Sequence, residues 1–388
     1  MTPKASAPAG GDPVYLDYNA TTPLLPEVVE AMLPFLRERF GNPSSGHAYG
    51  RRAREAVEAA RGDVAQLLGC TPEEIVFTSG GTEANNLAIR GAAAAWPGAG
   101  RIVTSVVEHP ATAEPCAELE RRGWTVTHLP VDAWGRVVAT DAAAAIGRDT
   151  ALVTIMHANN ETGSVQPIPE ISAAAKASGA TVHTDAAQSA GKLPVDVGAL
   201  GVDLLSIAGH KLYAPKGIGA LYVRRGARIE PFLRGAAQER GLRPGTENVA
   251  GIAGLGAAAV AAKRDLAAFA ARLMALRDRL LEALRGGVPG IALNGHPTER
   301  LPNTLSVRFP GVRGGALLEA APEIAASAGS ACHAGSEAAS AVITAMGVTA
   351  DEALGSVRLS LGRGTTLEDV ELAAGVLIRA YMEIGGRT

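Results

Sequence analysis

The sequence predicts an α/β fold, with a large domain built on a mostly parallel seven-stranded sheet and a smaller α+β C-terminal domain. Short apolar runs alternate with helix-period segments from about residue 50 to residue 210, the order that builds a parallel sheet covered by helices. The chain has 388 residues, beyond the size at which one hydrophobic core usually stops growing. A long Ala- and Leu-rich helical stretch, 247–284, then separates the alternating part from a third of short strands and helices. The expected division is a flexible tail at 1–13, a large domain at 14–250 and a small domain at 251–388. Residues 14–25 are free to pack with the small domain.

The elements follow from local pattern. Ala53, Val57, Ala60, Val64, Leu67 and Leu68 fall at helical spacing and stop at Gly69. Ile75-Val76-Phe77-Thr78 reads as a buried strand running into Ser79-Gly80-Gly81-Thr82, with a helix from Glu83 to Ala95. Further strands are expected at 102–106, 125–129, 151–156, 181–184 and 203–207, with helices near 112–121, 142–146 and 170–177. The run 218–223 follows so short a loop that it is expected as an antiparallel edge strand.

Composition narrows the function classes. Lys+Arg number 36 against 39 Asp+Glu, so no basic excess points to nucleic acid. The most apolar stretch, Val249 to Ala262, is stopped by Lys263, Arg264 and Asp265 well short of the ~20 residues that span a bilayer. The first 13 residues lack the apolar core of a secretory signal, and a cytoplasmic location is expected. Cys70, Cys116 and Cys332 are odd in number and widely spaced, which fits neither a disulfide framework nor paired zinc ligands, so reduced thiols and no metal are expected.

Three segments carry candidate chemistry. The Ser79–Thr82 turn joins a strand to a helix, so glycine amides, the helix N-terminus and the Thr82 hydroxyl can face a phosphate; a plain tight turn is the alternative. Asp185 ends a strand at the sheet edge where ligands of such folds bind. There it serves a pyridinium N–H, caps a helix beginning at Ala186-Ala187-Gln188, or joins His183 at a metal. Lys211, after the apolar run Ser206-Ile207-Ala208, is a partly desolvated amine suited to a Schiff base, or else a surface lysine in a turn. Lysine, acid and phosphate cup together are what a pyridoxal-phosphate site demands.

The motifs that decide between these readings are Gly80-Gly81-Thr82, Glu108-His109, Asn159-Asn160-Glu161-Thr162-Gly163, His183–Gln188, Gly209-His210-Lys211 and Arg243-Pro244-Gly245-Thr246. With Asp17–Pro23, Gly41–Ser45, Ser327–His333 and Val357–Arg363, they make the chain resemble the cysteine desulfurase family over nearly its whole length. The resemblance implies the fold type I architecture of pyridoxal 5'-phosphate (PLP) enzymes in the class V aminotransferase superfamily. It implies that Lys211 carries PLP and that Asp185 pairs with the pyridinium nitrogen. Gln188 would donate to the ring oxygen, and His109 would stack on the ring and shuttle protons. Gly81, Thr82 and His210 would hold the phosphate, and Asn160 would lie beside the ring oxygen and the substrate carboxylate. Thr246 would reach the phosphate of a neighbouring subunit, which implies a homodimer.

Cys332 lies in the small-residue run 327–336, expected as a flexible loop, with His333 placed to lower its pKa. A mobile thiol there suits removal of sulfur from L-cysteine and delivery of a persulfide to an acceptor such as an iron–sulfur cluster assembly protein. Cys70 and Cys116 read as small buried hydrophobes. Arg358, in the strand-like Val357–Leu361, is either a bidentate clamp for the substrate carboxylate or an exposed strand arginine. One position departs from the best-known desulfurases: Ala208 stands where a serine usually donates to phosphate. Selenocysteine lyases resemble this chain there, which keeps L-selenocysteine open as a substrate.

Overall fold

The computed structural model describes residues 11–328, 330–333 and 336–385, with only the backbone described at 330–333, 336 and 337. A short strand β1 (Val14–Tyr15) precedes the helix Pro26–Arg37 and the helix Ala48–Leu68. The latter ends at Gly69, whose φ of +72° suits a residue without Cβ. Then come β2 (Ile75–Thr78), β3 (Arg101–Ser105), β4 (Thr125–Leu129), β5 (Thr150–Thr154), β6 (Thr181–Asp185), β7 (Leu204–Ala208) and β8 (Gly219–Val223). They form one seven-stranded sheet in the order β2-β8-β7-β6-β5-β3-β4.

Strand alternation supplies both faces of this sheet. Val76, Ile102, Leu152, Leu204 and Leu221 pack with Leu87 and Ile89 of the helix Gly81–Ala95 on one side. Their neighbours Phe77, Val103, Val153, Leu205 and Ala220 join the opposite core. Period-two side-chain direction therefore makes continuous apolar runs, because helices cover both faces.

Strand β8 is antiparallel to both neighbours, as its short connection to β7 requires, but it is not an edge. It lies between β7 and β2. Its first four residues are buried, and β2 covers the hydrogen-bonding side that an edge would leave open. The polar edge is β4, where Thr125 and His128 are exposed.

The helix Val249–Gly287 connects two cores. Its first half, through Ile252, Leu255 and Ala259, belongs to the core under the large sheet. Its second half, through Phe269, Leu273 and Leu280, belongs to a C-terminal core that also holds Leu16 and Tyr18. Asn248 caps it by accepting from Gly251 N. Beyond it lie β9 (Ala292–Asn294), β10 (Thr304–Arg308), β11 (Ile324–Ala325), β12 (Ser327–Ala328), β13 (Ser330–His333), β14 (Ser336–Ala339) and β15 (Ser356–Ser360). An antiparallel sheet runs β12-β15-β10-β9, and β1 pairs in parallel with β11. Among the described residues no helix is long and apolar enough to cross a membrane.

Candidate active site

The C-terminal ends of β3, β5, β6 and β7 open on a cavity of about 430 Å³ that is also walled by β15. Its lining includes Gly81, Thr82, His109, Asn160, Asp185, Gln188, His210, Lys211 and Arg358, so nine residues named from the sequence meet at one place.

The anion-facing wall is built by glycine. Gly80 has φ +150° and caps the helix Gly81–Ala95, leaving the first-turn amides at the cavity. A Cβ on Gly219 of β8 would lie 2.8 Å from the Gly80 backbone, so that glycine lets the loop rest on the strand below. Ala208 lines the same wall and would stand 3.2 Å from a Cβ on Gly81. The helix N-terminus and the Thr82 hydroxyl make this wall fit a phosphate.

Asp185 is buried at the end of β6. One carboxylate oxygen accepts from Ala187 N at 2.9 Å, but the residues after it form a turn and not the helix expected there, so Asp185 holds a turn and caps no helix. The other accepts from Asn85 Nδ2 at 2.7 Å. Asn85 is fully buried, also donates to Thr112 Oγ1, and was not among the residues named from sequence; a mid-helix asparagine carries no local mark of its target. Both donors to Asp185 are neutral, so a cationic N–H from the cavity would complete a buried ion pair. His183 takes the other course: its ring lies between Thr154 Oγ1 and Ser206 Oγ, at 2.8 and 2.9 Å, inside the sheet.

Lys211 follows β7 in a single 3-10 turn. Its Nζ donates to the carbonyls of Asn19 at 2.5 Å and Ala20 at 2.7 Å. Burial first, then the Arg358 charge, lowers its pKa to about 8, against the opposing pull of Asp17 and Asp185. The amine is thus far easier to deprotonate than a surface lysine.

His109 caps the helix Pro110–Arg121, its Nδ1 accepting from Ala111 N at 3.1 Å. In the neutral ring the proton then sits on Nε2. Burial holds its pKa below the ordinary value, Asp185 opposes this, and Lys211 adds to it. Glu108, next to it, accepts from Ser105 Oγ and Met156 N, and burial raises its pKa to about 8. His210 meets Thr21 Oγ1 at 3.3 Å, and its pKa falls to about 4 through burial and then Lys211.

Gln188 donates through Nε2 to the Asn19 carbonyl at 3.0 Å and accepts through Oε1 from Lys192 Nζ at 2.9 Å. Arg358, on β15, donates to Asp17 Oδ1 at 2.7 Å, Ser327 Oγ at 2.8 Å and the Asn160 carbonyl at 3.1 Å. Its Nε is buried and without a hydrogen-bond partner. Asn19 joins the two halves of the site: its side chain bonds Thr304 and Asn303 beside β15, while its carbonyl receives Lys211 and Gln188. Asp17, Asn19 and Lys192 were not singled out from sequence as site residues.

Thr246 is exposed and does not line the cavity of its own chain. Cys332 lies on β13, which pairs antiparallel with β14 so that Cys332 is opposite Glu337. The expected loop is therefore a hairpin. Serine and alanine on both strands pair through their backbones with no apolar alternation to announce it. The side chains of Cys332 and His333 lie outside the described residues. Cys70 and Cys116 have their pKa raised to about 12, chiefly by burial, which keeps them as thiols.

Residues 14–372 match the family model Aminotransferase class-V. The chain is 48% identical to "Cysteine desulfurase IscS" of Dictyoglomus turgidum over 369 residues, 94% of each chain. It belongs to the cysteine desulfurase family. Among solved structures it is similar to one titled "NIFS-LIKE PROTEIN", at TM-score 0.89 and 37% identity over 97% of this chain and 100% of that one. It is also similar to "SspA in complex with cysteine", at TM-score 0.79 and 38% identity over 89% of this chain and 98% of that one.

Proposed function

We propose that this chain is a PLP-dependent cysteine desulfurase that converts L-cysteine to L-alanine and leaves a persulfide on Cys332. The observation that carries the reading is the convergence of Lys211, Asp185 and the Gly80–Thr82 helix N-terminus on one cavity, with Arg358 on the facing wall. Lys211 would hold PLP covalently, Asp185 its ring nitrogen, and Gln188 its ring oxygen. Gly81, Thr82 and His210 would hold its phosphate, under the His109 ring. Bound there, the cofactor supplies an electron sink for the substrate Cα.

The protein's own groups do the rest. Arg358 and Asn160 orient the substrate carboxylate, and Lys211, with a pKa near 8, exchanges a proton at Cα. His109 relays protons through Nε2. The Cys332 thiolate attacks the substrate sulfur: an S–S bond forms, the C–S bond breaks, and the electron pair stays with the substrate carbon, which is protonated to give alanine. The persulfide then passes to an acceptor protein. A solved relative holding cysteine supports the substrate.

We further assign the chain to a homodimer in which the exposed Thr246 serves the other copy's phosphate. Two domains are assigned that meet near residue 250, where one helix joins two cores.

The test is mass spectrometry after exposure to L-cysteine without reductant, which should place one extra sulfur on the peptide containing Cys332. Cys332→Ala should bind PLP and cysteine yet nearly stop releasing alanine. An adduct confined to Cys70 or Cys116, or normal desulfuration by Cys332→Ala, overturns the assignment. The same variant given L-selenocysteine addresses the reading that Ala208 keeps open: selenium release that persists without the thiol marks a selenocysteine lyase.

A further inference from the structure

A lysine inside a protein needs a reason, and Lys192 has only 3% of its surface exposed. The chain leaves β6, turns back at Gly191 with φ +73°, and places Lys192 Nζ 2.9 Å from Gln188 Oε1. On its other side the Gln188 amide meets the Asn19 carbonyl, to which Nε2 donates at 3.0 Å. The Asn19 carbonyl can only accept, and Lys192, whose pKa burial lowers to about 7, can only donate in its protonated form. Reversing the amide would set N–H against an ammonium and oxygen against a carbonyl, so both neighbours enforce one orientation.

The second N–H of Gln188 Nε2 is not used by these contacts, and Gln188 lines the cavity. A glutamine amide is by nature ambivalent, able to offer a donor or an acceptor. Here the choice has been made before any ligand arrives. We infer that Lys192 is a positioning residue that locks Gln188 as a hydrogen-bond donor toward the cavity, so that the group facing Gln188 must be an oxygen acceptor. This rests on the PLP reading above, in which that acceptor is the ring oxygen.

The test measures PLP affinity of the full-length apoprotein by fluorescence titration, with the visible absorption band of the bound cofactor as a second readout. Lys192→Met keeps the length and removes the donor; it should weaken PLP binding about five- to tenfold, the effect of one hydrogen bond, and shift the band. Lys192→Gln, which still offers an N–H, should restore affinity to within about twofold of wild type. In a Gln188→Ala background, either Lys192 variant should change affinity no further. The cycle is run with the variant whose apo melting midpoint matches wild type.

Wild-type affinity and band in Lys192→Met, or a Lys192 effect of undiminished size in the Gln188→Ala background, overturns the inference. A Lys192→Gln protein that binds no better than Lys192→Met also counts against it. A wild-type protein that gives no visible band with PLP instead overturns the function proposed above, so the two failures are separable.

Discussion

Arg358 and Asp17, 341 residues apart in sequence, hold each other at 2.7 Å beside the cavity that Arg358 lines. The carboxylate fixes one end of the guanidinium, Ser327 and the Asn160 carbonyl fix its plane, and the remaining N–H groups are left to a ligand. Arg358→Lys should therefore raise the KM for cysteine about 10- to 100-fold, the range for a charged hydrogen-bonded contact, with a smaller change in kcat. Asp17→Asn, which leaves the guanidinium in place but looser, should raise KM less. Steady-state kinetics decide it; an unchanged KM in Arg358→Lys removes the clamp.

Asn85→Ala tests the support of the buried acid. Without the 2.7 Å bond from Asn85, Asp185 keeps only its local donor, Ala187 N, and is free to rotate away from the cavity. PLP affinity should drop about tenfold in an equilibrium titration, while Asp185→Ala should drop it further and slow turnover as well. Identical affinities in Asn85→Ala and wild type would show that the acid needs no such support.

Lys211 sets a pH dependence. Only the unprotonated amine is nucleophilic, and its pKa lies at about 8 because burial and Arg358 outweigh Asp17 and Asp185. The rate at which apoprotein captures PLP should rise through pH 8 and then level, well below the range of a solvated lysine. The same shift bears on stability: the unfolded chain binds this proton up to about pH 10.4, so between pH 8 and that value the unfolded state holds more protons and folding stability rises with pH. Lys211→Ala should abolish covalent capture and flatten that part of the stability curve in chemical denaturation.

Glu239→Ala probes the scaffold. Glu239 accepts from both terminal nitrogens of Arg61 at 2.7 and 2.8 Å and from Phe77 N at 2.8 Å, with both charged side chains buried. Its backbone lies at φ +46°, outside the range most side chains favour. Removing Glu239 leaves the buried Arg61 with only the exposed Glu58 as its counter-ion, at 3.1 Å, and Phe77 N without its acceptor, so stability should fall by about 3 kcal/mol, the low end for a broken buried pair, in a denaturant titration. A change under about 1 kcal/mol would mean that Glu58 alone satisfies Arg61.

What sequence reveals here divides along physical lines. The apolar strands of the large sheet and the residues at their C-terminal ends were legible because each is marked by its own neighbours: a strand, then a glycine, an acid or a lysine. Asn85, Asp17 and Lys192 were not, since each acts on a partner that only the folded chain brings near; Lys192 in sequence is indistinguishable from a lysine in a surface turn. The β13–β14 hairpin escaped notice because neither strand shows an apolar stripe. Strand β8 could be read as antiparallel from its short connection, but its far neighbour could not, because β2 is more than a hundred residues upstream.

That placement of β8 has a consequence for how the protein matures. The loop that receives the phosphate follows β2, yet β2 reaches the rest of the sheet only through β8, which is made after Lys211. A ribosome that has delivered residues 75–185 has therefore made the cup and the acid but has no strand with which to join them. Insertion of β8 between β7 and β2 seats the anion cup and the lysine together, and its pairing with β2 is a contact of long sequence separation, the kind that is slow to form. A chain made only as far as residue 185 thus offers the cofactor no finished site, since Lys211 and the strand that seats the cup are still to come.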